Sequence, residues 1–95
     1  MVKYLLVSHS RVPGTKEQWG KYFQTLNHGN HLVGGSALGK GIGFKRGLIK
    51  NPKDKSIDGY MVITANNKAI IKKLAKLCPA HLNGGTVDIF PLIMD

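Results

Sequence analysis

The apolar positions of this chain fall into runs of two distinct periods, and those periods set out the elements. Val2 to Ser8 is a compact apolar stretch with Tyr4 and Leu6 on one face and Leu5 and Val7 on the other. A strand that is apolar on both faces is normally central in a sheet covered on both sides. Pro13 and Gly14 interrupt it, and Thr15 opens a helix. Thr15 with Gln18 three residues on is a capping-box pattern, in which hydroxyl and amide each satisfy an orphan backbone N–H. Trp19, Tyr22, Phe23 and Leu26 then follow at i, i+3, i+4 and i+7, an aromatic stripe that reads as core. The spacing ends this helix near Asn27 or His28, with Gly29 as a left-handed stop.

His31 to Leu38 reads as a second strand, weakened by Gly34 and Gly35. Alternation through Ile42, Phe44, Arg46 and Leu48 predicts a hairpin strand, and Asn51-Pro52-Lys53-Asp54-Lys55 a solvated turn. Asp58 to Ala65 is a further strand, again apolar on both faces. Asn66 or Asn67 caps a second helix whose stripe is Ile70, Leu74, Leu77 and Cys78, reinforced by Ile71. Pro79 stops it, and Gly84-Gly85 releases a last strand from Thr86 to Ile93. Pro91 removes a ladder donor, which places that strand at a sheet edge or ends it there.

The order β-α-β-(β)-β-α-β predicts an α+β fold, a ferredoxin-like split βαβ sandwich with an extra β-hairpin. Two helices cover one face of a four-stranded sheet, yet three strands are apolar on both. An uncovered face of that kind would exceed the few hundred Å² of apolar patch that monomers usually show. A homodimer with facing sheets is the expected solution.

Composition narrows the picture less than periodicity does. Ninety-five residues form one domain, 1–95, because a second core would have little to bury. Fourteen Lys+Arg against five Asp+Glu give a net charge of +9, which suggests a polyanion partner but says nothing of fold. More than half of it lies in Lys40, Lys45, Arg46, Lys50, Lys53 and Lys55, opposed only by Asp54. This stretch is the alternative reading, a nucleic-acid-associated module with Phe44 to stack a base, although a solvated hairpin is the plainer account. The single cysteine, Cys78, excludes an internal disulfide and a Cys-based zinc site and reads as a packing residue. No run approaches the roughly 18 apolar residues needed to span a bilayer, and Tyr4 to Val7 is too short for a signal-peptide core. The expected setting is cytoplasmic, with no membrane, metal or cofactor.

Gly34 to Lys40 fits GxxxxGK, but position 41 is Gly where a phosphate loop needs Ser or Thr, and the following residues are strand-like. Among His9, His28, His31 and His81 no pair has the i, i+4 spacing of a zinc helix. His9 stands at the C-terminal end of a central strand, where a side chain can reach a cleft. His31 and His81 are further candidates to bind a ligand, and Tyr60 and Ser36 are possible hydrogen-bond donors.

Lys3-Tyr4-Leu5-Leu6-Val7, Gly34-Gly35-Ser36-Ala37-Leu38-Gly39, Gly59-Tyr60-Met61-Val62-Ile63 and the ending Cys78-Pro79-Ala80-His81-Leu82 with Gly84 to Pro91 together resemble the YCII-related family, in order and spacing over nearly the whole chain. The resemblance implies a dimeric α+β barrel of ferredoxin-like protomers with a small-molecule cleft; the wider superfamily includes lactone isomerases and dehydrochlorinases. Three departures stand out. Asp58-Gly59 is followed by Tyr60-Met61 where one branch has Pro-Phe. Gln18 and Asn27 occupy the nearest positions to another branch's His–Asp pair, and neither is an acid or base near neutral pH. Phe90 replaces the Arg common before the last-strand proline. The expectation is therefore a homodimer that binds a small anionic or aromatic metabolite, with proton transfer beside a carbonyl or lactone isomerisation as the reaction class. In it His9 is the base, Tyr60 or Ser36 holds the developing oxyanion, and His31 and His81 complete the ligand-binding set.

Overall fold

The computed structural model describes residues 1–54 and 56–93. Lys55, one member of the basic stretch, lies outside them. Along the chain run β1 (Val2–His9), α1 (Lys16–His28), β2 (Leu32–Ala37), β3 (Gly43–Lys45), β4 (Leu48–Lys50), β5 (Gly59–Ala65), α2 (Lys68–Lys76), α3 (Pro79–Leu82) and β6 (Thr86–Pro91). Four strands make an antiparallel sheet in the order β2-β5-β1-β6, and β3 and β4 form a separate hairpin. The fold is α+β. The two-sided apolar strands β1 and β5 are the central pair, and β6, with Pro91 opposite Tyr4, is an edge strand.

One face of the sheet carries the core. Tyr4 and Leu6 from β1 and Met61, Ile63 and Ala65 from β5 pack against Tyr22 and Leu26 of α1, Ile71, Leu74 and Ala75 of α2, and Cys78 and Ala80. The other face has no cover among the described residues. Register puts Leu5 between Val62 and Phe90, and Val7 between Tyr60 and Asp88, so this face carries an apolar band bounded by Asp88, with Phe90 still 51% exposed.

The helix ends are built as the residues dictate, with two differences from the sequence reading. Both halves of the Thr15–Gln18 capping box form, at 2.9 Å and 3.1 Å. Gly29 is not the left-handed residue; it has φ −91°, and Asn30 takes φ +56°. His31 N donates to Leu26 O and Asn30 N to Asn27 O, the paired bonds of a Schellman closure with Asn in the left-handed place. The second helix ends at Lys76, one turn before Pro79, which instead opens α3 with Cys78 as its N-cap. Leu77 is consequently turned outward, while Cys78 is fully buried.

Buried polar groups are accounted for. The Tyr22 hydroxyl donates to Leu74 O at 3.0 Å, and burial, with the Cys78 thiol close by, pushes the phenol well above its ordinary value. Burial likewise pushes the Cys78 thiol up.

Candidate functional site

A cavity of about 650 Å³ opens between α1 and the β2–β5 side of the sheet. That volume lies within the range of small-molecule sites. Its walls are mostly apolar: Trp19 and Phe23 from α1, Leu32 from β2 and Met61 from β5. Trp19 stacks on Phe23 with centroids 5.5 Å apart; Trp19 also packs against the core, whereas Phe23 is exposed in the cleft wall and departs from the expected all-core stripe. Tyr22 and Leu26, the other two, are buried.

The strands leave room here because β2 brings glycines. A Cβ on Gly35 would lie 2.5 Å from the Tyr60 carbonyl oxygen and 2.9 Å from Met61 Cα, so only glycine lets β2 pair this closely with β5. Gly34 beside it faces open space.

The polar end of the cleft comes from three residues at strand ends. Ser8 Oγ donates to Asp58 Oδ1 at 2.8 Å, and Ser10 N donates to Asp58 Oδ2 at 3.2 Å. The backbone of Asp58 is fixed too, with its N–H on Ser8 O and its C=O accepting from Leu38 N. Partial burial pushes the Asp58 carboxyl up, but the hydrogen bonds from Ser10 and Ser8 outweigh it and hold the group below its ordinary value. Asp58 is therefore a fixed anion at neutral pH, suited to receiving a hydrogen-bond donor or a cation and a weak proton acceptor. Asn27 adds an amide on the α1 side.

The residues expected from sequence divide between places. Ser36 and Tyr60, opposite each other in the β2–β5 register, both border the cleft, but pairing with Val7 puts the Tyr60 side chain on the uncovered face of the sheet. His9 stands apart in a shallower depression with Arg11, Ser56 and Asp88, and Ser10 lines both cavities. Its Nε2 faces Asp88 Oδ2 at 2.9 Å and its Nδ1 faces Ser56 Oγ at 2.6 Å. His31 Nδ1 donates to Thr64 O and His81 Nδ1 to Lys76 O, and neither lines a described cavity. Of Asn27 and Gln18, Asn27 lines the cleft, while Gln18 exchanges amide hydrogen bonds with Asn83 at 3.0 Å and 3.1 Å.

Sequence reasoning missed Ser8, Ser10 and Asp58 as a unit. Each is an ordinary polar residue at a strand end, and only the pairing of Ser8 with Gly59 unites them. The signal that could have singled out Asp58 is its place directly before the glycine that opens β5. Among the described residues no group of three or more His, Cys, Asp and Glu could hold a metal ion. No described helix is long and apolar enough to cross a membrane.

No protein-family model matches the chain, and no curated protein matches it. Among solved structures, the chain is similar to the crystal structure of the Arabidopsis thaliana protein At3g17210, with 10% identity over 100% of this chain and 96% of that one, at a TM-score of 0.51. Identity this low carries the fold and nothing further.

Proposed function

We propose that this chain is a small-molecule-binding protein whose site is the cleft between α1 and the β2–β5 side of the sheet. The observation that carries the reading is the convergence of Ser8, Ser10 and Asp58 at one end of an otherwise apolar cavity of about 650 Å³. A few fixed polar groups in an apolar enclosure orient one ligand. The walls fit a molecule of one or two rings, held against Trp19 and Phe23. Its polar end donates to Asp58, which favours an amine or hydroxyl over a carboxylate and makes aromatic the better half of the anionic-or-aromatic expectation.

The finer architecture belongs to the same proposal. The strand order β2-β5-β1-β6 with helices on one face supports a ferredoxin-like protomer of the YCII-related kind. The apolar band of Leu5, Val7, Tyr60, Val62, Phe90 and Leu92 supports a second copy on the open face, giving a dimeric α+β barrel. Proton transfer with His9 as base would need the ligand to reach the neighbouring depression. Binding needs only the cleft.

The test is a screen of small aromatic compounds against isotope-labelled protein. Binding in the cleft shifts the amide signals of Ser8, Ser10, Gly35 and Asp58 together. Shifts confined to His9, Ser56 and Asp88 would move the site to the other depression and overturn the reading.

A further inference from the structure

The β3–β4 hairpin is a basic, amphipathic ribbon that touches little else in the fold. Phe44 is paired with Ile49, and Ile42 precedes Phe44 by two residues, so alternation gathers these three on one face. Lys45 and Lys50 fall on the other, beside Leu48 opposite Lys45, with Arg46 at the turn in a left-handed conformation, φ +52°. Ile42, Phe44, Leu48 and Ile49 are 65%, 67%, 73% and 70% exposed. Large apolar side chains this open, gathered in one protruding element, mark an interaction surface.

We propose that this hairpin binds an anionic lipid surface, its apolar face entering the headgroup–acyl boundary while its cations contact lipid phosphates. Charge selects the partner. Lys45, Arg46 and Lys50 on the ribbon, with Lys40 and Lys53 at its base, meet one carboxylate, Asp54, so the surface demands an anion. A second copy docked ribbon to ribbon would set Lys45, Arg46 and Lys50 against the same cations. The apolar residues then choose between polyanions. A nucleic acid would stack on aromatic rings, of which the ribbon has one, and would leave Ile42 and Ile49 against water or phosphate. A bilayer takes aliphatic side chains into its interior and lets lysine stems lie along its surface. The chain contacts the membrane from one side; no described helix crosses it.

The experiment is sedimentation of the full chain with vesicles of phosphatidylcholine alone, or with about 30% phosphatidylserine, at about 0.1 M and about 0.5 M salt. The proposal expects binding to the anionic vesicles only, weakened by salt. Replacing Lys45, Arg46 and Lys50 together by Gln lowers the partition about a hundredfold, at roughly fivefold per charge. Phe44→Ser with Ile49→Ser keeps every charge and still lowers it at least about tenfold. Circular dichroism confirms that both variants keep the fold. Absence of vesicle binding overturns the proposal. So does a serine variant that binds as well as the parent, since bare electrostatics then suffices. An oligonucleotide that binds more tightly than the vesicles at equal salt overturns it in favour of nucleic acid, and loss of self-association in the serine variant overturns it in favour of a second copy.

Discussion

Ser8 Oγ donates to Asp58 Oδ1 at 2.8 Å across fifty residues of sequence, tying the end of β1 to the residue that precedes β5. The bond joins fold and site, because Asp58 also accepts from Ser10 N and caps the polar end of the cleft.

Asp58 makes stability pH-dependent in a defined direction. Its folded-state pKa is lower than the unfolded value of about 3.8. The stabilisation is therefore complete above that value and is lost as pH falls through the lower, folded pKa. Urea midpoints measured from neutral to strongly acidic pH will fall in that acid window, and Asp58→Asn will flatten that part of the profile. An unchanged profile would mean that the Ser8 and Ser10 hydrogen bonds do not favour the ionised form.

Tyr22→Phe removes the hydroxyl that donates to Leu74 O and leaves a buried carbonyl without that partner. The cost is about 1–2 kcal/mol in denaturant unfolding, with the fold retained. A neutral substitution would show that the Leu77 N–H, which also donates to this carbonyl at 3.2 Å, satisfies it without the hydroxyl.

Adjacent glycines of β2 should respond oppositely. Gly35→Ala forces a Cβ onto the backbone of Tyr60 and Met61 and costs about 2–3 kcal/mol. Gly34→Ala meets open space and stays within about 0.5 kcal/mol. Thermal melts of the two variants, compared side by side, measure the contrast.

Cys78 is buried with its thiol pKa pushed up, so iodoacetamide should leave it unmodified in the native protein and alkylate it promptly in denaturant. Fast native labelling would contradict its place as the buried N-cap of α3.

The open sheet face predicts self-association. Sedimentation equilibrium should give twice the chain mass, and Val62→Asp or Phe90→Asp should give the monomer mass while leaving circular dichroism unchanged. A parent protein that stays monomeric at high concentration would contradict the second copy.

How much of this was legible depended on how local each signal is. The two-sided apolar runs of Val2–Ser8 and Tyr60–Ile63 reveal the central strands, because a strand apolar on both faces normally lies inside its sheet and not at an edge. Pro91 reveals the edge, and Thr15 with Gln18 the helix start, since each needs only near neighbours. Glycine at the end of α1 misleads by one residue: Asn30 can also take the left-handed position, and the closure uses it. Cys78 fits the α2 stripe by spacing but belongs to α3, because Pro79 starts a new turn instead of only ending the old one. The candidate site was the least legible. His9 draws notice as a titratable residue at a strand end, whereas the polar end of the cleft is made by two serines and an aspartate that only long-range strand pairing brings together.

Trp19 is the only tryptophan and stands in the cleft wall, which makes its fluorescence the most direct reporter on the central claim. Titration with phenethylamine, with phenylacetate as the anionic control, should quench or shift Trp19 emission saturably for the amine and far less for the acid. Asp58→Asn should narrow the difference between them, while His9→Ala leaves it intact. An unchanged Trp19 signal with every aromatic probe, or a preference for the acid that survives Asp58→Asn, would contradict the cleft as a site that holds an aromatic ligand by its donor end.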